Sequence, residues 1–421
     1  MRSIRGKKVR MMKENMLIVT VDIGMATNTG YCTTIDGRDI KPFRFDNTRE
    51  GLEKFWSMIV ASKNRFRCND VVVGYESTGP YAEPLAHYLV NKSVTIVQVN
   101  PMHTKRIKEV NDNSPLKTDD KDPRVIADVL RLGHALSVVV PEGDAAYLRR
   151  LNNARERHVG ERTALLNQIQ QLAFLIFPEY RTVFNDVTVK TARHILARYT
   201  TPEKIAGLNK DELGEEIRKR SMGKFGMQQA ERLIDLARDT VGIKEGVAGI
   251  VLDIQHILVQ LDALNGFVQE VEAEMAKTLE RIPCSARILS MKGLGVVTVG
   301  GLIGEVGDFT KFRTQGEIMK LAGLDLYEIS SGKRKGQRRI SKRGRSLLRK
   351  ILYSAAVATI RKNGIMCGYY ASLIGRGMKR TSALIVIAKK LLRIIHAMLR
   401  DDRDYIPNYE SPKRVVIKKA A

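Results

Sequence analysis

The sequence predicts a mixed α/β domain, then a long helical region of coiled-coil character, then a mainly helical, basic C-terminal domain. Three observations predict it. Between Met16 and Val99, short apolar runs rich in β-branched residues alternate with helical patterns. Between Leu148 and Ile282, two stretches carry apolar residues in alternating steps of three and four. From Ser285 to the end, glycine-punctuated helical patterns carry 29 Lys or Arg against 9 Asp or Glu, a surplus of 20 in a chain whose formal net charge is +25.

Residues 1–14 form a basic N-terminal arm through Arg2, Arg5, Lys7, Lys8, Arg10 and Lys13, and no signal-type apolar segment follows it. Residues 15–140 are the α/β domain. MLIVTVDI, GYCTTID and IKPFRFD read as an antiparallel meander, with Asp36-Gly37 turning the second strand into the third. A helical pattern from Thr48 to Ser62, the buried strand VVVGYE, a helix from Pro80 to Val90, the strand VTIVQV and a helix after Asp119 complete it. The order βββαβαβα is that of an RNase H-like fold.

Residues 141–284 form the long helical region. Its first seam runs through Leu148, Leu151, Arg155, His158, Arg162, Leu165, Ile169, Leu172 and Ile176. Its second runs through Ile250, Ile254, Ile257, Leu261, Leu264, Val268, Val271, Met275 and Ile282. The two helices pair with each other or with those of another subunit, since heptads do not name the partner. Residues 177–246 read as a small helical insert at the far end of a hairpin. Residues 285–408 begin with two helices around Gly293-Leu294-Gly295, continue through a basic loop, and close with helices near Ser346 to Lys362 and Ser382 to Leu399. Residues 409–421 are a polar, flexible tail.

A chain of 421 residues with 43% hydrophobic content has material for two or three packed domains, which excludes a disordered tail protein. Lys and Arg outnumber Asp and Glu by 71 to 46, so a polyanionic partner is expected. The cysteines Cys32, Cys68, Cys284 and Cys367 are isolated, which excludes a zinc cluster and suits a reducing cytoplasm. No uninterrupted apolar run approaches the ~20 residues of a membrane helix. The best candidate, Ala383 to Ala388, stops at Lys389 and Lys390, so a soluble protein without a membrane partner is expected.

Four acids suggest the chemistry. Asp22 ends the first strand, Glu76 ends VVVGYE, and Asp119 and Asp122 open the helix of KTDDKDPRVIADVL, where a spacing of three gives them one face. Taken singly, each suits a cap or a turn, and Thr118 and Asp120 offer Asp119 competing capping roles. Taken together on an RNase H-like order, they suit a site for divalent cations, because crowded carboxylates need a cation between them. A rival reading of VDIGMATNTG is the phosphate loop of actin-like kinases, which would need a second nucleotide-binding half; GLGVVTVGG is a weak match for its loop.

Between Ser331 and Lys350 there are ten Lys or Arg and no acid. The expected nucleic-acid-binding residues are Lys292, Gly293, Gly295, Lys333, Arg334, Lys335, Arg338, Arg339, Lys342, Arg343 and Arg345. Gly293-Leu294-Gly295 either presents backbone N–H groups to a phosphate, in helix-hairpin-helix style, or is a tight interhelical turn. Ser331, beside a glycine and the basic run, has a hydroxyl that could attack phosphorus once activated, and Tyr327 is a second nearby hydroxyl.

These segments resemble one family: the DEDD insertion-sequence transposases related to the Piv DNA invertase, bridge-RNA-guided recombinases. The resemblance lies in VDIG, YESTGPYAEPLA, NPMHTKRIKE and KTDDKDPRVIADVL, and later in MKGLGVVTVGGLIGEVGDFTKF and KLAGLDLYEISSGKRKGQRRISKRGRSLLRKIL. It implies that Asp22, Glu76, Asp119 and Asp122 bind Mg²⁺, with Mn²⁺ as a substitute, in a RuvC-like domain. It implies that Ser331 is the nucleophile joined covalently to DNA, with Ser330 beside it as the alternative in the doublet. It further implies double-stranded donor and target DNA, an element-encoded guide RNA, a homodimer or tetramer, and a bacterial or archaeal cytoplasm. A junction-resolving or structure-specific nuclease, using the same acids and water with no covalent step, is the alternative.

Overall fold

The structure is a computed structural model that describes residues 15–76, 79–92, 94–111, 121–133, 136–137, 140–328, 336 and 338–407. The chain divides into two compact units, Met1–Val140 and Pro141–Ala421. The basic arm 1–14 and the tail from 408 lie outside the described residues.

The first unit is built on a six-stranded mixed sheet in the order β3-β2-β1-β4-β5-β6. Its strands are β1 (Met16–Asp22), β2 (Thr27–Thr34), β3 (Phe43–Asp46), β4 (Asp70–Glu76), β5 (Thr95–Val99) and β6 (Leu136–Ser137). The meander β1-β2-β3 is antiparallel, and β4 and β5 continue the sheet parallel to β1. Helices α1 (Arg49–Phe66), α2 (Ala82–Val90), α3 (Pro101–Asn111) and α4 (Lys121–Arg131) accompany it. Because successive strand side chains point to opposite faces, β1 buries Leu17, Val19 and Val21 with Phe55, Ile59 and Leu85 on one side, and Met16 and Ile18 with Ile126 and Leu130 on the other. Thr48 caps α1 by accepting from the Gly51 N–H at 3.1 Å.

The meander, α1, α2 and α4 form where the sequence predicts them, with shifted ends. Two elements escape prediction. Helix α3 carries Lys105, Arg106, Lys108 and Glu109 with little apolar periodicity, although Pro101 at its first turn is a start signal. Strand β6 has two residues and pairs antiparallel with β5, too short to show alternation.

The second unit is a long hairpin with a helical cluster at each end. Helix α5 (Gly143–Ile176) packs along α11 (Val247–Glu280), each 34 residues long. Arg155 donates to Glu272 at 2.7 Å, Arg162 to Asn265 at 3.3 Å, and the His158 ring meets the Phe267 ring edge-on at 4.4 Å. The seams therefore meet within one chain. Between them lie α6 (Tyr180–Phe184), α7 (Lys190–Tyr199), α8 (Pro202–Ala206), α9 (Lys210–Arg220) and α10 (Met227–Arg238). They share a core with Ile169, Ile176, Ile254 and Ile257, in which buried Tyr180 donates to the Ala192 carbonyl at 2.7 Å.

At the other end, α12 (Pro283–Leu289), α13 (Val296–Val306), α14 (Gln315–Leu321), α15 (Ser346–Thr359), α16 (Cys367–Gly375) and α17 (Arg380–Arg400) enclose a core that includes Leu148 of α5 and Met275 and Leu279 of α11. The sequence does not show α16. Helix α13 lies close on α5 because Gly304 has no Cβ: one placed there would come within 2.7 Å of the Arg149 nitrogen. A short hairpin, β7 (Leu326–Glu328) and β8 (Arg338–Ile340), stands where the sequence predicts only a loop.

Among the described residues one helix, α11, is long and apolar enough by length and composition to cross a membrane. It holds no long uninterrupted apolar run, because Asp253, Gln255 and His256 break the pattern. Its buried positions Ile254, Ile257, Leu261, Val271 and Met275 belong to the two cores of this unit. All four cysteines are free thiols, and burial pushes the Cys32 thiol up to about 12.

Candidate active site

The first unit brings acids to the carboxyl ends of its central strands. Strands β1 and β4 run parallel in a register that pairs Val21 with Tyr75. Asp22 and Glu76 are the next residues on each strand, so they stand side by side at the strand spacing of about 4.8 Å. This is the edge at which open α/β sheets hold ligands. Both are partly exposed, as a site open to a large substrate requires.

Helix α4 adds the third acid. It lies against β4 at Gly74, where a Cβ would come within 2.4 Å of Leu130 Cδ1. Its first turn is tied to β1 by the Thr20 hydroxyl, which donates to the Pro123 carbonyl at 2.6 Å. Asp122, one residue earlier, is held at the carboxyl end of the sheet. Asp119 lies outside the described residues, and among those described no group of three His, Cys, Asp or Glu is close enough to hold a metal ion.

Helix α3 supplies two partners that sequence reasoning missed. Thr104 donates to Glu76 Oε2 at 2.8 Å and also reaches the Pro101 carbonyl at 2.8 Å. The Lys108 ammonium pairs with Asp122. The spacing of four in HTKRIK was the available signal, because it gives both side chains one helix face.

The turn after Asp22 bears on the rival phosphate-loop reading. The Gly24 N–H donates to Asn28 Oδ1 at 3.2 Å, and the Asn47 amide holds the Gly24 and Met25 carbonyls at 3.0 Å each. Asn28 thus takes a backbone N–H of the kind that a phosphate loop would offer to its ligand.

In the second unit, Lys292 is exposed, Gly293 has φ of 101°, and Gly295 precedes α13 as its N-cap. The turn is packed: a Cβ on Gly293 would lie 3.3 Å from Thr359 Cγ2 at the end of α15. Strands β7 and β8 bracket residues 329–337. Ser330, Ser331, Lys333, Arg334 and Lys335 lie outside the described residues. Tyr327 is exposed on β7, opposite Arg339.

The remaining cations differ in what engages them. Arg338 donates to Glu328 at 2.9 Å. Arg345 donates to the Glu305 carbonyl and, with Arg149, flanks the buried Glu305 carboxylate at 3.6 Å on each side. Arg349 donates to the Ala322 carbonyl at 2.9 Å, and Lys350 pairs with Glu156. Lys342 and Arg343 are exposed in the turn after β8, where the Arg343 N–H donates to the Ser341 hydroxyl at 3.3 Å. Before β7, burial raises the Asp325 carboxyl above its usual range, with Lys320 and Lys389 opposing. Neither Glu305 nor Asp325 stood out in the sequence.

Comparison with known proteins bears on both units. A DEDD family model described as Transposase matches residues 19–178, which include Asp22, Glu76 and Asp122. A second, described as Transposase IS116/IS110/IS902 family, matches residues 285–371, from α12 through the β7–β8 hairpin and α15. Together they span more than half of the chain. The chain belongs to the IS110/IS116 family of insertion-sequence transposases.

This transposase is 28% identical over 394 residues to the insertion element IS110 uncharacterized 43.6 kDa protein of Streptomyces coelicolor, covering 91% of this chain and 94% of that one. It is 28% identical over 295 residues to the insertion element IS116 uncharacterized 44.8 kDa protein of Streptomyces clavuligerus, covering 69% and 73%. It is 26% identical over 313 residues to the transposase for insertion sequence element IS1111A of Coxiella burnetii, covering 73% and 72%. It is an enzyme of a class that acts on DNA, and the DEDD family to which it belongs suggests a divalent metal. The segment between the two matched regions holds most of the helical insert and all of α11.

Proposed function

We propose that this transposase cuts and exchanges DNA strands through a composite of two sites, the acids Asp22, Glu76, Asp119 and Asp122 and the nucleophile Ser331, on donor and target DNA chosen by a guide RNA. The observation that carries the reading is the register of β1 and β4, which sets Asp22 beside Glu76 at the sheet edge over which Thr20 anchors the first turn of α4. The meander followed by parallel β4 and β5 supports an RNase H-like, RuvC-like domain over residues 15–140.

The donor chemistry suits a divalent cation: two strand ends and a helix start supply hard carboxylate oxygens, and one of these carboxylates already attracts an ammonium group. Asp22, Glu76, Asp119 and Asp122 would hold Mg²⁺ or Mn²⁺. When bound, the cation supplies charge neutralisation at the scissile phosphate. Thr104 orients Glu76 by its hydrogen bond, and the Thr20–Pro123 bond keeps Asp122 in reach. Ser331 Oγ attacks phosphorus, the deoxyribose oxygen leaves with a proton, and the new serine–phosphate ester preserves the bond energy for rejoining. Lys292, Lys333, Arg334, Lys335, Arg339, Lys342 and Arg343 neutralise backbone phosphates as the strands pass.

Exposed Leu252 and Val259 on α11, 70% and 69% accessible, support assembly into a homodimer or tetramer. Within this reading the arm 1–14, the hairpin 141–284, the serine-bearing region 285–408 and the tail 409–421 are separate functional segments, working in the cytoplasm at the nucleoid.

The test is incubation of the protein, co-expressed with RNA from the flanks of its gene, with labelled donor and target DNA and Mg²⁺. A protein–DNA adduct on denaturing gels, lost in both Ser331→Ala and Asp22→Asn, is the expected result. Metal-dependent cutting that survives Ser331→Ala with no adduct would instead establish a nuclease using water.

A further inference from the structure

We propose that Lys108 is the resident counter-ion of the acidic site: its ammonium neutralises Asp122 while no metal is bound and gives way when a divalent cation binds. This rests on the reading of Asp22, Glu76 and Asp122 as metal-holding acids.

Helix α3 touches that site twice from one face. Thr104 donates to Glu76 and, four residues on, Lys108 pairs with Asp122, so one helix binds an acid from the sheet and an acid from α4. The Asp122 side chain is only 18% exposed. A carboxylate so withdrawn from water needs a cationic partner. Lys108 has the opposite character. Its side chain is 39% exposed, on a flexible four-carbon stem, and can swing to solvent without exposing an apolar surface.

Lys105 and Arg106, its cationic neighbours on α3, are exposed, and no ion pair of theirs with the acids is seen among the described residues. Lys108 is therefore the cation placed to compete with a metal for Asp122. A dication held by several carboxylates outcompetes a single ammonium, and the two cannot share one oxygen. The ammonium thus raises the metal concentration needed to load the site and neutralises Asp122 when the site is empty.

A fixed tether between α3 and α4 would use the same pairing but respond differently to its removal. The deciding experiment titrates Mn²⁺ into the full-length protein, followed by electron paramagnetic resonance, with thermal melting run in parallel. The variants are Lys108→Met, Lys108→Arg and Asp22→Asn. Lys108→Met should bind Mn²⁺ roughly three- to tenfold more tightly than wild type, as expected on removing a competing, half-exposed cation. It should also melt lower without metal and regain most of that loss with saturating Mn²⁺. Lys108→Arg, which keeps the charge, should stay within about twofold of wild type.

Equal or weaker Mn²⁺ binding by Lys108→Met, with binding lost in Asp22→Asn, would overturn the counter-ion role and leave the acidic site standing. Should Lys108→Met prove unfolded, Lys108→Arg binding several-fold more tightly than wild type would overturn it equally. Wild type and Asp22→Asn binding Mn²⁺ alike would overturn the metal site itself, and the counter-ion with it.

Discussion

Thr20, fully buried on β1, donates its hydroxyl to the carbonyl of Pro123 at 2.6 Å, joining residues 103 apart in sequence. Pro123 is buried too, so its carbonyl has little access to water in its place. Thr20→Val keeps the shape and removes the donor. The expected loss of stability is about 1–3 kcal/mol, the cost of an unsatisfied buried acceptor. If Asp122, the residue before Pro123, has its proposed role, strand cleavage should fall by more than that loss accounts for, because small displacements of catalytic groups are costly. Melting and single-turnover cleavage measured together check this; cleavage unchanged in a folded Thr20→Val protein would show that α4 needs no such anchor.

Glu305 is a brace in the second unit. It is 3% exposed and has Arg149 of α5 and Arg345 before α15 on either side. Glu305→Ala leaves two partly buried guanidinium groups facing each other, and a cost of about 3 kcal/mol is expected. Glu305→Gln restores the shape but not the charge, and should recover part of it. Denaturant unfolding of the two variants measures the difference. Equal stability of Glu305→Ala and wild type would mean that water compensates the arginines.

The parts of this architecture that were legible are those that repeat a pattern. Leu17, Val19 and Val21 alternate against Ile18 and Thr20, so β1 was visible as a strand buried on both faces, and with it the position of Asp22 at its end. The seams through Ile169 and Ile254 showed the two long helices. Helix α3 was hidden because it buries little: its charged residues make no apolar stripe, and Thr104 and Lys108 point at acids that only the fold brings near. The β7–β8 hairpin was hidden because each strand has three residues, and its pairing of Glu328 with Arg338 joins positions that no sequence pattern links. Burial by distant partners was equally invisible, so Arg345 was grouped with free cations although Glu305, forty residues away, holds it.

The insert should respond to acid through Glu216. Burial works to raise its carboxyl, but bonds from Tyr199, His194 and Arg198 outweigh that and hold it below the ordinary range. The Tyr199 hydroxyl and His194 Nε2 each lie 2.7 Å from it, and Arg198 2.8 Å. A carboxyl lowered in the folded state adds stability that is full above its unfolded value and is lost as pH falls through the folded value. Glu216→Gln should cost about 1–3 kcal/mol at neutral pH, and the gap to wild type should close in acid below the carboxylate range. A gap that stays constant with pH would assign the loss to packing alone.

Salt dependence should separate cations that face nucleic acid from those that brace the protein. Lys342 and Arg343 are exposed in the turn after β8, whereas Arg338 is engaged by Glu328 and Arg345 by Glu305. On duplex DNA the log–log salt slope falls by ~0.9 for every phosphate that the protein ceases to neutralise. Lys342→Gln and Arg343→Gln should each reduce the slope by about that amount without changing the melting temperature. Arg345→Gln should do the reverse, lowering stability while leaving the slope near wild type, because its charge is already spent on a buried carboxylate. Arg338→Gln should change neither strongly, since its exposed pair with Glu328 is weak and frees an acid when broken. Equal reductions of slope in all four variants would show that the internal pairs open on binding and that every cation of the segment reaches a phosphate.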